Sequence, residues 1–138
     1  MQTISDIMTQ GVHTLTGDST LRDAEVLMRD HHVRHIPVLD DNRHIAGVLS
    51  QKEFLREAFR ITDKFGAHHL QDYLAKTPVS DCIEKDISIL PPDAPLKAAG
   101  EKLRAEKQGC LLVADDEGGL LGIVTSQDFV RLAMDLLD

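Results

Sequence analysis

The chain repeats itself without a gap: residues 5–60 lie over residues 80–135 at a constant offset of 75. Ser5, Asp6, Leu15, Asp18, Leu21, Ala24, Arg29, Val38, Asp40, Asp41, Gly47, Phe54, Arg56 and Ala58 each meet the same residue 75 positions later. Pairs that differ mostly keep their chemistry, as Ile36/Leu111, Val48/Ile123, Ser50/Thr125 and Glu53/Asp128 do. Two copies of one supersecondary unit imply a pseudo-twofold pair with equivalent clefts between the copies. One copy is of a size that rarely buries an adequate core alone, so the two should fold together. The expected division is repeat 1 over 1–62, a connector over 63–78 and repeat 2 over 79–138.

Within repeat 1, Val12 to Leu15 is short and extended, and Gly17-Asp18-Ser19-Thr20 carries turn and N-cap chemistry. Leu21, Ala24, Leu27 and Met28 then recur at three- and four-residue spacing, which predicts a helix over about 20–31. His35 to Leu39 reads as a strand, Asp40-Asp41-Asn42 as a tight turn, His44 to Leu49 as the returning strand, and Ser50 opens a second helix. Repeat 2 restates this order, with Asp93 as expected N-cap, Pro95 in the first turn, strands over Cys110–Ala114 and Leu120–Val124, and a last helix from Ser126. Each unit is therefore β-α-β-β-α, an α+β (α/β) fold class. In the connector, Leu70, Tyr73 and Leu74 predict a short helical piece.

Composition narrows the function. With 15 basic against 23 acidic residues the net charge is −8, which argues against duplex nucleic acid or an anionic membrane as the main partner. No apolar run approaches the roughly 20 residues of a membrane span, and Met1-Gln2-Thr3-Ile4-Ser5 has neither a basic start nor an apolar stretch, so a cytoplasmic location is expected. Cys82 and Cys110 lack C-x-x-C spacing and read as reduced structural thiols.

The sharpest local signal is the strand-to-helix junction running from Gly122 to Phe129. A hydroxyl, Thr125, and a carboxylate, Asp128, stand three residues apart where a helix presents unpaired N–H groups and the positive end of its dipole. Such a turn can bind phosphate, and Asp128 could accept two hydrogen bonds from a ribose diol. The competing reading makes Thr125/Asp128 and Ser50/Glu53 simple capping boxes. That reading favours Ser50/Glu53, because Glu suits the reciprocal bond better than the shorter Asp.

With Ser5-Asp6-Ile7-Met8, His35-Ile36-Pro37-Val38, Gly47-Val48-Leu49-Ser50 and the Gly122–Phe129 junction in order, nearly the whole chain resembles the paired cystathionine-β-synthase (CBS) domains, or Bateman modules. The resemblance implies two β-α-β-β-α units packed through their sheets, a regulatory role without catalysis, and adenosine ligands such as AMP, ADP, ATP or S-adenosylmethionine in the clefts. Carried over by position, it implies a site of Thr125 toward phosphate and Asp128 toward ribose, with Met8, His13, Thr14, Val33 and Arg34 about the base. A second, weaker site would use Ser50 and Glu53 with Ile83, Ser88 and Gln108, and with Arg34 or His35 toward phosphate. Glu53 and Cys110 depart from the family pattern, and Lys107 is the nearest cation that could compensate for Cys110.

Other chemistries fare worse. His31 and His35 have the i, i+4 spacing of a helical metal pair, but a turn should separate them, so no metal site is expected. No nucleophile with a positioned base stands out, and an enzyme is not expected. Two readings of different class stay open: a nucleotide sensor acting through a homodimer on a separate, unknown effector protein, and a ligand-free dimerisation scaffold with degenerate sites. The dimer surface is read from the wide apolar faces of the helices that carry Phe54, Leu55 and Phe59, and Phe129, Val130 and Leu137. The bland alternative buries those faces against the connector.

Overall fold

The structure, a computed structural model, describes residues 2–105 and 109–138. Its elements are β1 (Leu15–Thr16), α1 (Leu21–His31), β2 (His35–Leu39), β3 (Ile45–Ser50), α2 (Gln51–Phe65), α3 (Leu70–Leu74), β4 (Ile89–Leu90), α4 (Leu96–Ala105), β5 (Cys110–Ala114), β6 (Leu120–Thr125) and α5 (Ser126–Leu137). The order β-α-β-β-α thus occurs twice, with the helical connector piece, α3, between. Two three-stranded sheets form, β1-β2-β3 and β4-β5-β6, each with a parallel outer pair and an antiparallel hairpin.

Local chemistry explains the elements. Thr20 caps α1: its side chain accepts from the Asp23 N–H at 3.2 Å while Asp23 accepts from the Thr20 N–H at 2.9 Å. The corresponding place in repeat 2 is held by Pro95, and α4 starts at Leu96, later than an Asp93 cap would set it. The two hairpin turns share one device. Asp40 Oδ1 accepts from the Asn42 and His44 N–H groups, and Asp115 Oδ1 accepts from those of Glu117 and Gly119, all at 2.8–2.9 Å. This accounts for the identity of Asp40 and Asp115.

The chain divides into two compact units that are not coextensive with the repeats. One comprises the chain up to Val12 together with Asp86–Asp138, and the other comprises His13–Lys85. We call them the C-unit and the N-unit. The reason lies in the first few residues of each repeat, which pair with the body of the other. In the C-unit, Thr3 bridges Pro95, Ile4 N–H donates to Ala94 O at 2.9 Å, and Thr9 bridges Ile123. In the N-unit, the residues 75 positions on do the same: Pro78 bridges Thr20, Val79 N–H donates to Ser19 O at 2.7 Å, and Glu84 bridges Val48.

Each unit has its own core. Ile4, fully buried, joins Ala94, Ala99, Leu111, Val113 and Val124 in the C-unit. Val79, its counterpart, joins Leu21, Ala24, Ile36, Val38, Leu49 and the inner face of α2 in the N-unit. The apolar faces of α2 divide. Phe54, Ala58 and Ile61 are buried, and Phe65 stacks on Tyr73 of α3 with ring centroids 4.0 Å apart, so the connector covers one side. Leu55 and Phe59 stay exposed on the other, as do Val130, Met134, Leu136 and Leu137 on α5. No helix among the described residues is long and apolar enough to cross a membrane.

Candidate functional site

The β6–α5 turn in the C-unit concentrates the polar chemistry. The hairpin register carries β6 out of the sheet at Thr125, the residue that caps α5 in extended conformation. Asp128 follows in the first helical turn and is one of the two buried polar or charged residues among those described, Ser50 being the other. Its Oδ2 accepts from the Thr125 N–H at 2.8 Å, its Oδ1 from the Thr9 hydroxyl at 3.4 Å, and Arg131 closes an ion pair on the same Oδ1. Met8 lies against Gly122, beside Thr9. The helix N-terminus adds its dipole and its unpaired N–H groups to this corner.

The β3–α2 turn in the N-unit is the sequence counterpart, and its wiring differs. Ser50 Oγ accepts from the Glu53 N–H at 3.1 Å, but the Glu53 carboxylate turns outward to Arg56 Nη1, at 3.1 Å from both oxygens. The capping-box expectation is therefore reversed. Asp128 makes the return bond to the N-cap N–H, as Asp6 and Asp23 do at their own caps, whereas Glu53 pairs with Arg56. The longer arm of Glu reaches the next turn of its helix; the short arm of Asp stays over the N-cap. The Glu53 side chain is accordingly 24% exposed against 4% for Asp128.

The remaining expected site residues distribute as follows. Met8, Thr125 and Asp128 all lie in the C-unit, which also holds Ser88, whose carbonyl accepts from the Leu112 N–H. His13, Thr14, Val33, Arg34, His35, Ser50, Glu53 and Ile83 lie in the N-unit. There Arg34 O accepts from the Gln51 N–H at 2.8 Å, Ile83 stands against Gly47, and the exposed His13 ring stacks on His31 at 3.8 Å. Lys107 and Gln108 lie outside the described residues. Among the described residues no three His, Cys, Asp or Glu side chains group as metal ligands. Cys82 in the N-unit is a poor nucleophile, because burial first, and then Glu57 and Asp81, push its thiol up to about 11.

Thr9 and Arg131 are the partners of Asp128 that sequence reasoning missed. Arg131 had a signal, since Arg56 and Arg131 are identical across the repeats and each stands three residues after a carboxylate. Thr9 had none: its counterpart is Glu84, and the contact spans 119 residues of chain.

Two β-α-β-β-α units, each with a hydroxyl residue and a carboxylate residue three apart at its strand-to-helix turn, define a tandem-repeat mixed α/β protein. The CBS-domain family model matches residues 4–60 and 79–135, an offset of 75 again, and the chain belongs to the CBS-domain family as a domain pair. Among solved structures it is similar to a protein assigned to acetoin utilization (AcuB) from Vibrio cholerae, at 32% identity and TM-score 0.81, covering 99% of this chain and 93% of that one. It is also similar to the CBS-pair protein CBSX2 from Arabidopsis thaliana, at 27% identity and TM-score 0.82 over 97% of this chain and 95% of that one. CBSX2 has been solved in complex with AMP; in that structure the match is 26% identical with TM-score 0.81 and covers 100% of both chains. A CBS domain-containing protein of Dictyostelium discoideum is 26% identical over 98% of this chain and 93% of its own length. The chain spans about a quarter of other curated relatives, such as the homoserine O-acetyltransferase of Methanococcoides burtonii, which it matches at 22% identity over 94% of its own length and 24% of theirs.

Proposed function

We propose that the chain is a non-catalytic sensor of an adenosine-containing ligand, bound at the β6–α5 turn and read out by a separate effector protein through a homodimer. The observation that carries this is the buried, oriented carboxylate of Asp128 beside the N-terminus of α5, in a chain matched end to end by a protein solved with AMP. A ribose diol is the ligand group that one carboxylate can hold with two charge-assisted hydrogen bonds. The Thr125 hydroxyl and the first N–H groups of α5 suit a phosphate. The β3–α2 turn is the weaker candidate, since Glu53 points outward and is engaged by Arg56.

The dimer is supported by matching exposed rows on α2 and α5. Leu55 and Phe59 correspond across the repeat to Val130 and Met134, and Leu137 extends the second row. Burying such apolar surface is the main favourable term in association.

One observation favours the ligand-free scaffold instead: Asp128 already has three protein partners, which a purely structural cap would also have. Isothermal titration with AMP separates the two. The sensor reading expects saturable heat and a raised melting temperature, both weakened about 10–100-fold in affinity by Asp128→Ala. No heat and no thermal shift with AMP, ADP, ATP or S-adenosylmethionine leaves the scaffold.

A further inference from the structure

We propose that Thr9 is a positioning residue for Asp128, its hydroxyl fixing the carboxylate in the orientation that receives a ribose diol; this rests on the sensor reading above. Oδ1 of Asp128 has two partners, and they differ in how they are anchored. Arg131 reaches it along a side chain that is 61% exposed and can turn away into solvent. Thr9 reaches it along a short side chain on a fixed backbone, which exchanges two hydrogen bonds with Ile123, at 2.9 and 3.0 Å. Gly122 permits this approach, since a side chain there would meet Thr9 O at 2.8 Å. Thr9 therefore presents its hydroxyl from an anchored backbone, 3.4 Å from Oδ1, and with the Thr125 N–H on Oδ2 it gives each oxygen of the carboxylate a donor from outside the helix. A hydroxyl can also accept while it donates, so Thr9 does not consume the local capacity for ligand hydroxyls as a cation does.

The repeat supplies an internal comparison. Glu84 holds the same backbone bridge to Val48, at 3.0 and 2.8 Å, yet its side chain in ionised form is an acceptor and offers no donor to a neighbouring carboxylate. The carboxylate at the corresponding helix start, Glu53, is the one that swings out to Arg56. A hydroxyl at position 9 and a carboxylate at position 84 thus accompany an inward Asp128 and an outward Glu53.

The test compares Thr9→Val, which keeps shape and backbone bridge, with Thr9→Ser, which keeps the donor. Each full-length variant is titrated with AMP and with 2′,3′-dideoxy-AMP, and its melting temperature without nucleotide is recorded. Thr9→Val should weaken AMP about 5–10-fold, while Thr9→Ser stays within about twofold of the parent. Affinity for the dideoxy analogue should be the same in Thr9→Val and the parent, because that ligand has no diol to orient. Thr9→Ala replaces Thr9→Val if the valine variant fails to fold. Unchanged AMP affinity without the hydroxyl overturns the positioning role, and so does an equal loss for both ligands, which marks a structural effect. A parent protein that binds none of AMP, ADP, ATP and S-adenosylmethionine overturns the sensor reading, and the positioning role falls with it.

Discussion

Gly47 and Gly122 are identical across the repeats because another backbone passes over each, and their substitution measures how far that passage holds a unit together. A Cβ at Gly47 would lie 2.6 Å from Glu84 O, 3.3 Å from the Glu84 carbonyl carbon and 3.0 Å from Ile83 Cδ1. The oxygen cannot yield alone, because it accepts the Val48 N–H at 3.0 Å and its residue donates back at 2.8 Å. Gly47→Ala must therefore push the segment around Glu84 off the strand, losing two backbone hydrogen bonds worth about 0.5–1.5 kcal/mol each and adding overpacking of comparable size. The expected loss is about 2–4 kcal/mol. The unfolded-state effect of replacing glycine by alanine runs the other way, at about 0.4–1 kcal/mol, so the contact decides the sign. Gly17→Ala is the control: its Cβ would meet only Ser80 Cβ, at an ordinary 3.7 Å, and should shift stability by no more than about 0.5 kcal/mol. Urea unfolding followed by circular dichroism gives the size, and hydrogen exchange at the Val48 and Glu84 amides gives the place. If Gly47→Ala unfolds at the same urea concentration as Gly17→Ala, the argument from close approach is wrong.

Three further outcomes are expected. In paired titrations with AMP, Asp128→Ala should lose about 10–100-fold in affinity while Glu53→Ala changes little; an unchanged Asp128 variant would move the site elsewhere. Phe59→Asp and Met134→Asp should convert a dimer to monomer in sedimentation, raising the dimer Kd by about 30-fold or more, and a concentration-independent monomer in the parent protein would remove the dimer. Cys82 titrates later in the folded chain than in the unfolded one, so the stability it contributes is complete below pH 9.0 and is lost as pH rises toward about 11. Cys82→Ala should flatten that part of the stability profile in urea titrations run between pH 8 and 11.

Much of the fold was legible because its signals are local. The α1 stripe of Leu21, Ala24 and Met28, the Asp40 and Asp115 turns, and the hairpin strands depend on neighbours within a few residues, and each formed where spacing placed it. The site was legible in part. Thr125 and Asp128 are three residues apart and announce themselves, whereas the side on which a carboxylate settles depends on what arrives over it from elsewhere in the chain. Preference for Glu in a capping box pointed to Ser50/Glu53; the longer arm of Glu53 lies out on Arg56, whereas the shorter Asp128 keeps the Thr125 N–H and meets Thr9 as well as the equivalent Arg131.

The repeat by itself determined the number of units, the order of their elements and the residues to inspect, since periodicity and turn chemistry are written in short stretches. It could not assign the opening residues of either copy. Ile4 and Val79 lie in corresponding places of the two repeats, and each is buried in the core built by the other copy. Only tertiary structure decided that exchange, and with it the meeting of Thr9 and Asp128, because a contact across 119 residues leaves no periodic trace in the chain.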